Sequence, residues 1–243
     1  MQFAKHWAAS LDDYAIDLAW SPDGSLLAAA SAAGGVTLYD AATGAVRHVL
    51  TGHADGTNAL AWLPASSQPS APSPQLLLAT GGQDGCVRIW DAAAGRQTAE
   101  TKLGNAWVEH LAWQASSSQP SAPSSQLLFA AAGRKLVALK ADGTLVHSFP
   151  DAPKTISALA ASPALSSQPS APSAPSVAAA CFGHVVVWDA TAFTAQKEFP
   201  YGNAIYALVW SPDGRWLVAG CHDNAVHLWV PAEADMEMHM SGY

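Results

Sequence analysis

At 243 residues, half of them hydrophobic and only 12% charged, the chain is long enough to bury a large core and reads as one globular body. A net charge of -8 without a basic stripe argues against a nucleic-acid backbone as the main partner, and no apolar run approaches the ~20 residues that span a bilayer. Lys5, His6, Asp12 and Asp13 interrupt any signal-peptide pattern, so the expected compartment is cytoplasmic and no membrane partner is expected.

In chain order, Leu18-Ala19-Trp20 opens a strand-like run that turns at Ser21-Pro22-Asp23-Gly24, and Val36 to Asp40 is a further run. A Gly52-His53 pair then precedes three short apolar runs: Asn58 to Leu63, Leu76 to Thr80, and Cys86 to Trp90 followed by Asp91. Asp84-Gly85 supplies the tight turn between the last two. The pattern recurs. Leu60-Ala61-Trp62 aligns with Leu18-Ala19-Trp20, Leu111-Ala112-Trp113, Leu159-Ala160-Ala161 and Leu208-Val209-Trp210. Val87 to Asp91 aligns with Val36 to Asp40, Leu136 to Lys140, Val185 to Asp189 and Val226 to Val230. Two columns in one register give five repeats. Repeats one and five join their first two runs by Ser-Pro-Asp-Gly turns. Repeats two to four instead carry near-identical Ser/Pro-rich insertions at 65–75, 115–125 and 164–176, which should be extended, mobile loops. Either a docking motif or the spread of a repeated DNA element into a tolerant turn accounts for three copies.

A Gly-His pair followed by strand-like runs ending in Trp-Asp resembles the WD40 repeat, the four-stranded blade of a β-propeller. The resemblance covers nearly the whole chain. It implies an all-β WD40-type β-propeller of five four-stranded blades, approximately 14–50, 55–100, 106–149, 155–200 and 204–240, in a single domain. It also implies that His53, Thr80, Asp84 and Trp90 form a structural hydrogen-bonded chain. The Trp-Asp signature is complete in repeats two and four, becomes Tyr39-Asp40 in the first, and decays to Leu139-Lys140 and Trp229-Val230 in the third and fifth. Only repeat two keeps the full Gly-His pair. In rings of this family the N-terminal segment closes the last blade, and Ala4 to Ala8 falls at the place of such an outermost strand. Met236 to Met240 already alternates at that place for the fifth repeat. The expectation is therefore an incomplete ring with a spare N-terminal outermost strand, part of a ring of about seven blades. An open array completed by another chain is the alternative.

The resemblance further places partner binding at the mouth formed by the loops before each first strand and the turns before each third strand. The matching positions are Tyr14 and Ile16, Asn58, Trp107 and Glu109, Thr155 and Ser157, and Tyr206, with Gln83 and His222 from the turns. Tyr14, Trp107 and Tyr206 weigh most because large aromatics dominate interface energetics; packing between blades is the competing reading. Chemistry is poorly supported. Neighbours on a strand point to opposite faces, so Glu109 and His110 are not a pair by default. Neither GxSxG nor HExxH occurs. Asp17, Glu109 and His110 are too few for a central metal cage. Cys86, Cys181 and Cys221 read as small buried thiols in a reducing compartment, and Cys221-His222 lacks companion ligands at metal-site spacing. The expected function is a non-enzymatic scaffold that binds a protein or peptide, with no catalytic, cofactor or metal residue. A metal-dependent propeller hydrolase or lactonase, and a structural subunit that completes its ring with another chain, are the rivals.

Overall fold

The computed structural model describes residues 6–64, 76–114, 126–163, 174–233 and 236–241. The Ser/Pro-rich insertions at 65–75 and 115–125, and the third as far as 173, lie outside the described residues.

Twenty short strands pair in sequence order into five four-stranded antiparallel sheets. The first holds β1 (Ala15–Trp20), β2 (Leu26–Ser31), β3 (Val36–Asp40) and β4 (Val46–Leu50). The second holds β5 (Thr57–Trp62), β6 (Leu77–Gly82), β7 (Cys86–Asp91) and β8 (Arg96–Lys102). The third holds β9 (Val108–Trp113), β10 (Leu127–Ala132), β11 (Lys135–Lys140) and β12 (Leu145–Ser148). The fourth holds β13 (Ile156–Ala161), β14 (Ser176–Cys181), β15 (Gly183–Asp189) and β16 (Ala195–Tyr201). The fifth holds β17 (Ile205–Trp210), β18 (Leu217–Cys221), β19 (Ala225–Trp229) and β20 (Glu237–Ser241).

Burial is deepest in the second strands of the first four sheets. Every residue of β6 is buried, which requires an apolar run with small residues instead of alternation. Every residue of β20 is exposed, so it can alternate Glu, Met and His. The Ser-Pro-Asp-Gly turns are built alike. Ser21 Oγ donates to Asp23 Oδ1 at 2.6 Å and accepts from Leu26 N at 2.9 Å. Ser211 Oγ donates to Asp213 and accepts from Trp216 N at 2.9 Å. Gly24 and Gly214 take φ of 71° and 70°, the left-handed region that favours glycine.

The chain divides into two compact units, with the boundary in β9 between Leu111 and Ala112. In the first unit, neighbouring sheets share a core of Leu38, Leu50, Leu60, Trp62, Leu78 and Trp90. Trp62 Nε1 donates to Ala19 O at 3.0 Å and Leu60 N donates to Asp17 Oδ2 at 2.8 Å, so the innermost strand of the second sheet is stapled to that of the first. In the second unit, Trp210 Nε1 donates to Ala160 O at 3.2 Å, repeating the same join between β17 and β13. Val185, Val187, Phe199, Ile205, Leu217 and Trp229 fill the core there, with Phe199 stacked on Trp229 at 5.2 Å.

Of the segment expected as a spare outermost strand, Ala4 and Lys5 lie outside the described residues, and His6–Ala8 form no strand. Trp7 instead lies on the first sheet. Its Nε1 donates to Ala41 O at 2.9 Å and its ring stacks on Tyr39 at 6.1 Å. The gain is burial of a large aromatic against a Tyr whose own hydroxyl is held by Ser10 O at 3.1 Å.

Candidate functional site

Within the second sheet, four side chains meet in one hydrogen-bonded line. Trp90 Nε1 donates to Thr80 Oγ1 at 3.0 Å, Thr80 faces His53 Nε2 at 2.8 Å, and His53 Nδ1 faces Asp84 Oδ1 at 3.0 Å. Nδ1 has two claimants: protonated it donates to Asp84, unprotonated it accepts from Arg88 Nη1, and the neutral imidazole serves either bond. Burial lowers the His53 pKa, against the opposing pull of Asp84. Arg88, a residue the sequence reading did not single out, closes the line. Its Nη1 lies 2.6 Å from Asp84 Oδ2 and 2.6 Å from His53 Nδ1, and its Nε lies 3.1 Å from Glu100 Oε2. A buried cation in a third strand breaks the apolar pattern of that strand, and this was the available signal. Backbone fit is tight here: a Cβ on Gly82 would stand 2.1 Å from His53 Nδ1, and one on Gly52 would stand 2.5 Å from the Trp90 ring.

The residues expected at the mouth sit at a recurrent irregularity. The first two strands shift register by one residue at Ile16, Asn58, Ser157 and Tyr206. Such bulges re-aim the side chain of the extra residue. In the first unit, Tyr14 is 81% exposed and Trp107 51% exposed, and Glu109 is exposed. Neither aromatic is packed between sheets. Gln83 Nε2 reaches Asn58 Oδ1 at 3.4 Å, which leaves Asn58 Nδ2 buried without a partner. In the second unit, Tyr206 is 63% exposed and lies edge-on to His222 at 5.9 Å, while Thr155 is exposed and Ser157 half-buried. Trp20 was not expected to matter beyond its column. It is 57% exposed, whereas Trp62 and Trp210 of that column are buried on the preceding sheet.

Of the donors weighed for a central cage, Asp17 spends its carboxylate on the backbone N-H groups of Leu18 and Leu60, and burial raises its pKa against those bonds. A different group forms in the fifth sheet. Cys221 Sγ, an Asp223 carboxylate oxygen and a His227 ring nitrogen all lie within 4.8 Å of one another. The expectation that Cys221 lacks companion ligands rests on spacing along the chain. It paired Cys221 with its neighbour His222, which faces Tyr206, whereas the β18–β19 turn brings Asp223 and His227 back to the thiol.

Sheets of four strands ordered from first to last, two of them docked by an innermost-strand Trp on the sheet before, define a β-propeller repeat protein. The family model described as "WD domain, G-beta repeat" matches residues 44–91 and 195–230, and that of the "Anaphase-promoting complex subunit 4 WD40 domain" matches residues 2–65. The chain therefore carries WD40 repeats at the matched positions. It is 28% identical over 232 residues to "Protein transport protein SEC13" of Cryptococcus neoformans var. neoformans serotype D, across 87% of this chain and 58% of that protein. It is 28% identical over 232 residues to "Protein SEC13 homolog" of Drosophila melanogaster, across 88% of this chain and 51% of the relative. A shorter stretch of 88 residues is 42% identical to "WD repeat-containing protein 1" of Xenopus tropicalis, covering 35% of this chain and 13% of that protein. The chain thus spans between half and two thirds of the length of the SEC13 proteins it resembles.

Proposed function

We propose that the chain is a non-catalytic WD40 scaffold that grips a protein or peptide partner at the loops leading into its innermost strands. The observation that carries this reading is the set of large aromatics at those loops and bulges, Tyr14, Trp107 and Tyr206, which are exposed and contribute little to the core. Exposed aromatic anchors suit a peptide better than a small polar substrate. Likeness to proteins named for protein transport supports an interaction role. The acidic balance supports a cytoplasmic setting and does not favour nucleic acid.

Selection of a displayed random-peptide library on the immobilised chain tests the reading. Enriched peptides should bind the wild type and lose at least about tenfold in affinity to Trp107→Ala, equal to about 1.4 kcal/mol, while Val49→Ala on the outermost strand binds normally. Peptides indifferent to Trp107, Tyr14 and Tyr206, or no enrichment at all, would remove the mouth as the binding surface.

A further inference from the structure

The fifth sheet carries different chemistry at the positions that build the His53 line in the second. Cys221 pairs with Ile205 as Gly82 pairs with Thr57, so a thiol stands where the second sheet requires glycine. Tyr201 precedes Ile205 by the same interval as His53 precedes Thr57, and His227 follows Asp223 by the same interval as Arg88 follows Asp84. Tyr201 takes the place of the imidazole, with its hydroxyl donating to Asp223 Oδ2. The substitutions replace a closed hydrogen-bonded line with one sulfur, one carboxylate and one imidazole.

We propose that Cys221, Asp223 and His227 form a binding site for a divalent cation of the zinc class. Two observations support it independently. The first is the donor set, since thiolate, imidazole and carboxylate together select zinc over magnesium or calcium. The second is the orientation of His227. Its Nδ1 lies 3.0 Å from Glu237 Oε1 on β20, so a proton on Nδ1 is held by a carboxylate and the Nε2 lone pair is left for a metal. Carboxylate-held imidazole is the usual outer support of a zinc ligand. The ring is further fixed by Tyr201 at 4.5 Å and by stacking with His239 at 5.6 Å. Bonds of about 2.0 to 2.3 Å place tetrahedral ligand pairs roughly 3.5 Å apart. The three ligand atoms, within 4.8 Å of one another, must draw in to that spacing on binding, and the exposed Asp223 side chain must then release Tyr201 Oη, 2.5 Å from its Oδ2. Cys221 and His227 sit on strands paired in the sheet, so the two less mobile ligands are already placed.

Titration of the full-length chain with Zn²⁺ alone, and with Co²⁺ as a spectroscopic stand-in, tests the site. The wild type should take up a single equivalent of Zn²⁺, melt at a higher temperature when loaded, and show a thiolate-to-cobalt charge-transfer band. Cys221→Ser should abolish the band, Glu237→Gln, which removes the outer carboxylate from His227, should weaken Zn²⁺ binding by about tenfold to 100-fold, and Cys181→Ser should change neither. Should the variants misfold, alkylation of the wild type decides, because bound Zn²⁺ should slow modification of Cys221. A band that survives Cys221→Ser, a band that vanishes in Cys181→Ser, or an alkylation rate at Cys221 unaltered by Zn²⁺ would each overturn the proposal. Cys181 is the proper control because its Sγ lies 3.9 Å from His184 Nε2, a second sulfur-imidazole pair that forms no three-ligand group among the described residues.

Discussion

At the scale of single residues, the His53 line explains why its neighbours are glycines. A methyl on Gly82 overlaps the imidazole at 2.1 Å, so Gly82→Ala should cost about 1 to 3 kcal/mol by overpacking. In a His53→Ala background the same change should cost less, with Asp84 Oδ1 at 2.8 Å the remaining close contact, and a double-mutant cycle by urea denaturation measures that coupling. Thr80→Val should cost roughly 2 to 4 kcal/mol, because it strands the Trp90 N-H and breaks the contact to His53 Nε2. The line also sets a pH dependence. Burial, with a smaller push from Arg88, lowers the folded-state pKa of His53 despite Asp84, so the unfolded chain binds a proton there first as pH falls. Stability is therefore lost on acidification from about pH 6.5 downward, where the unfolded imidazole titrates and the folded one does not. Asp84, whose pKa is also lowered, adds loss of the same sign at lower pH; its burial opposes the lowering, and the bonds from Arg88 and His53 outweigh it. Denaturation between about pH 7.5 and about pH 5 should show a steeper fall for wild type than for His53→Gln.

At the scale of strands, the Trp column divides by what lies before each member. Trp62 and Trp210 are buried and donate to Ala19 and Ala160 on the preceding innermost strand, whereas Trp20 is exposed. Trp62→Ala or Trp210→Ala should cost about 3 to 5 kcal/mol, and Trp20→Ala under about 1 kcal/mol, as read from thermal or chemical unfolding. The five strand sets were legible because second strands such as β2, β6, β10 and β14 are buried almost throughout and must be written in small and apolar residues, and because Trp and Trp-Asp mark fixed registers. Arg88 was hidden by that same rule, since a third strand is scanned for apolar residues and its cation is paid no attention. Cys221, Asp223 and His227 were hidden for another reason. Metal spacing was sought between adjacent residues, while a β-hairpin brings together side chains on either side of its turn. Trp7 was read as a strand residue from its distance to the first repeat, and ring stacking on Tyr39 prevails over that spacing.

At the scale of the whole chain, the two compact units each carry their own inter-sheet joins: Trp62 and Asp17 in the first, Trp210 in the second. In arrays held by packing between neighbouring repeats, the cost of a lost join stays with the repeats that share it. Local opening is then read by amide exchange, which reports the free energy of each cooperative region separately. Trp210→Ala removes a large buried ring between β13 and β17 and should speed exchange through β13 to β19, with β2, β3, β6 and β7 keeping wild-type protection. Trp62→Ala should produce the converse pattern, weakening β1 to β7 and sparing β14, β15, β18 and β19. Mass-resolved hydrogen exchange on the two variants distinguishes this from a single cooperative body, in which either substitution would raise exchange in all of these strands by the same factor. The comparison works because both changes delete the same side chain from the same register, so a difference in where exchange rises reflects which sheets share the lost contact.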